Sequence, residues 1–154
     1  MSGKKQFVEL LRRRKAEQEN LPEEVAKRKR EWLLDLAALM CSIDGWLSAL
    51  KKKRLLDYEA STSTVSEENL GDYEVPTLKI VAPGGKTVSI TPAGTYVVHA
   101  LGRVDVVSGP HRETIARFGP GDWHVVKPDP EGKSWMSRPL DEDEFFRLLT
   151  DILE

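Results

Sequence analysis

Apolar residues recur at spacings of three and four up to Leu56, and mostly at a spacing of two beyond it. The first period predicts helices and the second predicts strands. Residues 4–19 read as a short helix whose strong apolar anchors are Phe7, Leu10 and Leu11. Asn20-Leu21-Pro22 predicts a break, with Pro22 opening a second helix and Leu21 packing on Val25 as a staple. That second helix carries a stripe at Trp32, Leu36, Leu39, Met40, Ile43, Leu47 and Leu50. Asp44-Gly45 predicts a kink inside it, because glycine costs about 1 kcal/mol in a helix interior. The cations 51–54 then complement the negative end of the helix dipole.

Past Leu56, residues 57–66 read as an edge strand and 67–73 as a polar loop. Segments 75–82 and 86–91 form a hairpin around Pro83-Gly84-Gly85, which pairs Ile80 with Val88 and Leu78 with Ile90. Further strands are expected at 96–107, 111–118, 123–127 and 134–138, separated by Gly/Pro turns. Simple hairpin turns would align Val104, Ile115, Val126 and Trp135 in one row, and Leu101, Phe118 and Trp123 in another. In that register His124 faces Arg117. Asp141 with Glu144 resembles a capping box ahead of Phe145, Leu148, Leu149 and Ile152, an apolar stripe that must be buried against the sheet.

The expected fold is therefore α+β: two N-terminal helices, then a roughly seven-stranded antiparallel meander closed by a C-terminal amphipathic helix. Residues 1–56 make a basic helical hairpin and 57–154 the sheet domain, as one structural unit. In element order the second part resembles pleckstrin-homology-like domains. It departs from them in having no tryptophan in the last helix, and an acidic loop, Ser66-Glu67-Glu68-Asn69, where an inositol-phosphate site needs cations.

Charge sharpens the division. Up to Leu56 there are 14 Lys/Arg and 8 Asp/Glu, a balance of +6, and the rest of the chain carries 9 and 17, a balance of −8. Such asymmetry between halves points to a charged partner or to the two halves facing one another. The strongly apolar stretch 32–40 is interrupted by Asp35 and is too short to span a bilayer. One cysteine, Cys41, and an N-terminus without a signal-peptide h-region give the expectation of a soluble cytoplasmic protein that does not engage membranes.

The candidate chemistry is thin. Gly84-Gly85-Lys86-Thr87 superficially suggests a phosphate loop, but Ile80 stands where the motif needs glycine, and a strand follows instead of a helix. His99, Arg103 and Asp105 share one strand face, with His111 and His124 on neighbouring strands, and a pocket formed by His99, Arg103, Asp105 and Trp123 is a candidate small-ligand site. Residues four apart along a strand are separated by roughly 13 Å, so His99 and Arg103 do not converge directly. No catalytic set, metal site or cofactor motif is predicted, and Cys41 is expected to be buried and inert. The runs 12–15, 27–30 and 51–54 are the features with functional weight. Helical pairs Glu9–Arg13, Glu23–Lys27 and Glu24–Arg28 would neutralise part of them. Arg12, Arg13, Arg14 and Lys15 then remain as a partner-binding cluster. The function expected is that of a non-enzymatic interaction or accessory protein that binds a protein partner or self-associates through its N-terminal helices. The alternatives are nucleic-acid binding through the basic helices 4–30, or a sheet-face ligand pocket.

Overall fold

The computed structural model describes residues 3–68, 70–95, 100–128 and 134–154, with backbone alone for 17–22. The elements are α1 (Gly3–Lys52), β1 (Asp57–Glu67), β2 (Gly71–Val81), β3 (Thr87–Gly94), β4 (Gly102–Ser108), β5 (His111–Gly119), β6 (Asp122–Pro128), β7 (Trp135–Pro139) and α2 (Glu142–Leu153). The seven strands form one antiparallel sheet in the order β1-β2-β3-β4-β5-β6-β7. The α+β class, the meander and the terminal helix match the sequence reading. The number of N-terminal helices and the closing of the sheet do not.

A single 50-residue helix, roughly 75 Å long, replaces the two expected N-terminal helices. Pro22 lies inside it, where proline removes one backbone hydrogen bond and costs about 3 kcal/mol. The apolar phase explains why the helix continues. At about 100° per residue, Phe7, Leu11, Val25, Trp32, Leu36, Ile43 and Leu47 all fall on one side, so the stripe does not change direction at Pro22. The Leu21 side chain, and with it the proposed staple, lies outside the described residues. Gly45 produces no break either, since fully buried Ile43 and Leu47 fix the helix on both sides of it.

The helix ends in a Schellman arrangement. The Leu55 N–H donates to the Leu50 carbonyl at 3.0 Å and the Arg54 N–H to the Lys51 carbonyl at 3.0 Å. Arg54 takes the left-handed conformation, φ 60°, that glycine adopts more cheaply. At the other end of the chain Asp141 caps α2, accepting from the Glu144 N–H at 2.8 Å.

Both helices cover the same face of the sheet, α1 over β1 and β2, α2 over β4 and β5. Trp32, Leu36, Ile43 and Leu47 from α1 and Phe145 and Leu148 from α2 share one core with Val75, Ile80, Val88, Ile90, Val104 and Ile115 of the sheet. Trp46 and Phe145, with ring centroids 5.4 Å apart, join the two helices. The sheet stays open: β1 and β7 each have one neighbour.

The β2–β3 hairpin has the expected register, Leu78 opposite Ile90 and Ile80 opposite Val88. Residues 71–73, expected in a loop, extend β2 instead. From β5 onward the rows shift by one. An irregularity between Arg117 and Gly119 sets Ile115 opposite Val125 and Trp123 opposite Arg117. Because strand side chains alternate, this one-residue slip turns Val126 to the outer face and Trp123 into the core. His124 faces Ala116 rather than Arg117, and Ser137 rather than Trp135 stands opposite Val126. Strand β4 begins at Gly102, and residues 96–99 of its expected first half lie outside the described residues.

Candidate functional site

The two parts of α1 have different surroundings. From Val25 onward the helix is tied to the sheet. Over 3–16 the side chains are exposed, apart from half-buried Leu10.

The tie begins with Trp32, which is fully buried. Its ring lies against the backbone of Gly102, where an added Cβ would come within 2.2 Å of it. It also packs on Trp123 at a centroid distance of 5.9 Å, and its Nε1–H donates to the Tyr73 hydroxyl at 3.1 Å. Tyr73 donates in turn to the Glu67 carboxylate. The other Glu67 oxygen accepts from the Thr95 N–H at 2.7 Å and from the Thr95 hydroxyl at 2.9 Å. Arg28 completes the chain with a 3.0 Å bond to Thr95 Oγ1. Burial, with the neighbouring Glu67 carboxylate, pushes the Tyr73 hydroxyl well above its ordinary pKa of 10.0. Gly94 is required beside this network. Its φ is 137°, and a side chain there would meet Glu67 Oε1 at 2.9 Å.

A second tie is ionic. Asp35, which interrupts the apolar sequence of α1, pairs with the buried Arg117 of β5 and accepts from the Gly121 N–H at 2.8 Å. A third lies at the end of α1, where the Tyr58 hydroxyl donates to Asp44 Oδ1 at 2.8 Å and Lys51 pairs with Asp57 at 3.1 Å.

Over 3–16 Phe7 and Leu11 keep the phase of the core stripe but face solvent. Phe7 is 58 % exposed and Leu11 49 %. Arg12, Arg13, Arg14 and Lys15 are exposed on the same segment, and over 3–16 six cations face one acid, Glu9. Among the described residues neither Glu9–Arg13 nor Glu23–Lys27 forms an ion pair. Lys27 instead lies 4.0 Å from Glu31, and Arg28 turns to Thr95. The cluster is thus less neutralised than its spacing implies.

The expected sheet-face pocket does not assemble. Arg103 and Asp105 lie on the outer face, paired with one another at 3.1 Å. Trp123 is on the helix face, on the far side of the sheet, and His99 lies outside the described residues. His124 shares the outer face, with Nε2 2.8 Å from Asp122 and Phe118 edge-on at 5.0 Å. A groove of about 310 Å³ lies elsewhere, between β6–β7 and α2, where Met136, Arg138 and Arg147 line it. Cys41 is exposed, contrary to expectation, because its position on α1 faces away from the sheet. Among the described residues, no three His, Cys, Asp or Glu side chains come together as metal ligands.

Sequence reasoning missed Asp35 and Glu67 as the residues that position the helix. The available signal was an acid inside an apolar stripe, since a charge at such a position demands a buried partner. No protein-family model, curated protein or solved structure matches this chain.

Proposed function

We propose that this chain is a non-enzymatic interaction protein, in which the sheet and α2 hold the base of α1 while its first 22 residues present a docking helix to a protein partner. The observation that carries the reading is the exposed pair Phe7 and Leu11, with half-buried Leu10 beside them, in phase with the stripe that fills the core. An amphipathic helix offering anchors at i, i+3 and i+4 is a common means of entering a partner's groove. The cations 12–15 add selectivity for an acidic groove. The test is capture of partners from the native host by full-length protein and by a chain beginning at Glu23, with and without nuclease. The reading requires a nuclease-resistant partner that is lost with the arm and also lost in the Phe7→Ala/Leu11→Ala double variant.

A second reading, nucleic-acid binding, draws support from the same cluster being free of the helical pairing its sequence suggests. Four phosphate contacts would give log K a slope of roughly −3 to −4 against log salt. Absence of binding to single- or double-stranded DNA or RNA at low salt removes this reading.

A further inference from the structure

The sheet leaves one edge strand open on both faces. Helix α2 lies over β4 and β5, and every residue of β7 is exposed. Side chains alternate along β7, so Trp135, Ser137 and Pro139 share the outer face with His124. Met136 and Arg138 face the other way, into the groove of about 310 Å³ beside α2. Two large apolar residues, Trp135 at 69 % and Met136 at 49 % exposure, thus stand on opposite sides of one short strand.

The backbone of β7 is only half used. The Leu140 N–H donates to the Trp123 carbonyl at 2.8 Å. Bonded pairs alternate along an antiparallel ladder, so in this register Arg138 with Val125 and Met136 with Lys127 are the bonded pairs. The N–H and C=O groups of Trp135 and Ser137, and the Pro139 carbonyl, therefore point away from the sheet. Among the described residues nothing pairs with them. Such an edge is a template for a further strand.

The adjoining groove has one charge left over. Lys127 is paired with Glu113 and Asp151, and Arg147 with Asp143 and Glu144. Arg138 has no ion-pair partner among the described residues, and it lines the groove beside apolar Val125 and Met136. Open main-chain groups on the edge and a spare guanidinium in the groove are independent features, and both fit the same kind of occupant.

We propose that β7 takes up an extended segment of a protein partner as an eighth, antiparallel strand. Trp135 and Ser137 then exchange N–H···O=C bonds with the segment, and the Pro139 carbonyl accepts one more. The segment's residue opposite Arg138 carries a carboxylate, and the residue two further on, opposite Met136, is apolar. Both point into the groove. The next residue falls opposite Trp135 on the outer face, where an aromatic or β-branched side chain covers the indole. A second copy of this chain fits less well. Two-fold pairing about Ser137 sets Pro139, which has no N–H, opposite Trp135 of the other copy and leaves that carbonyl without a donor. This surface is separate from the arm of α1.

Panning a phage library of random peptides against the full-length protein tests the proposal. Enriched peptides should read acid, any residue, apolar, then aromatic or β-branched. One of them, synthesised, should bind in isothermal titration and shift the tryptophan emission to the blue, a shift absent in Trp135→Phe. Arg138→Glu should weaken it about tenfold or more, and should enrich peptides with a cation in place of the acid. Ser137→Pro removes one donor at an edge position that tolerates proline, and should weaken binding about five- to tenfold with an unchanged urea midpoint. Amide exchange should slow at Trp135 and Ser137 on binding, and be slow at Met136 and Arg138 already in the free protein. Absence of enrichment overturns the proposal, as do peptides indifferent to Ser137→Pro or Arg138→Glu, or peptides lost instead in Phe7→Ala/Leu11→Ala. Self-association abolished by Ser137→Pro also overturns it, since a second copy would then be the occupant.

Discussion

The two halves of α1 share one backbone and one apolar phase, yet the structure uses them differently. From Val25 to Lys52 each turn has something to hold: Trp32 under Gly102, Asp35 on Arg117, Asp44 on Tyr58. Over 3–16 the same periodicity faces solvent. The contrast teaches that an apolar stripe specifies a helix but not what the helix packs against. Anchoring comes from a few long-range polar and aromatic contacts, and where these stop the helix becomes a surface element.

Substitutions should separate the halves, and the largest effect is expected at Trp32. Trp32→Ala removes a fully buried ring and the Tyr73 bond, and should cost about 3–5 kcal/mol by urea denaturation. Phe7→Ala, at the same phase in the arm, should change stability by less than about 0.5 kcal/mol. Similar losses at both sites would break the distinction between them.

Asp35→Ala comes next. It strands the buried Arg117 and should cost about 3 kcal/mol or more, because an unpaired buried charge is worse than none. The Asp35→Leu/Arg117→Met double replacement should regain most of that loss, which a thermal-denaturation series of the single and double variants would reveal.

Tyr73 sharpens the account through pH. Its folded-state pKa is raised above 10.0, so the unfolded chain releases the phenolic proton first. Stability from this bond is therefore complete below pH 10 and declines as pH rises above it. Tyr73→Phe should lower stability at neutral pH and flatten the alkaline decline measured by pH-dependent urea midpoints.

Within the anchored half, the smallest effect is expected at its end. Arg54→Gly relieves a left-handed residue and should stabilise the protein by about 0.5–1 kcal/mol in the same assay.

How much of this was legible in the sequence depends on distance along the chain. The β2–β3 hairpin was readable because Pro83-Gly84-Gly85 fixes its loop length, and α2 because Asp141 and its stripe are adjacent. The β5–β6 pairing was not, since an irregularity between Arg117 and Gly119 inserts one residue without a composition signal that separates it from a plain turn. Pro22 misled for a different reason: a local breaker was weighed above a phase that continues past it. The cluster 12–15 could be named from sequence, whereas its freedom from Glu9 required side-chain geometry. Asp35–Arg117 and Glu67–Thr95 join residues 82 and 28 positions apart, and periodicity carries no information about such pairs. The Arg103 pocket failed because Trp123 was assigned to the wrong face by that same one-residue slip.

The most direct test of the central claim is the urea-unfolding free energy of a chain beginning at Glu23, compared with the full-length protein. If the body alone holds the fold and the arm is a presented surface, the two values should agree within about 0.5 kcal/mol. A loss of about 2 kcal/mol or more would show that residues 3–22 pack as part of the fold, and would contradict the account.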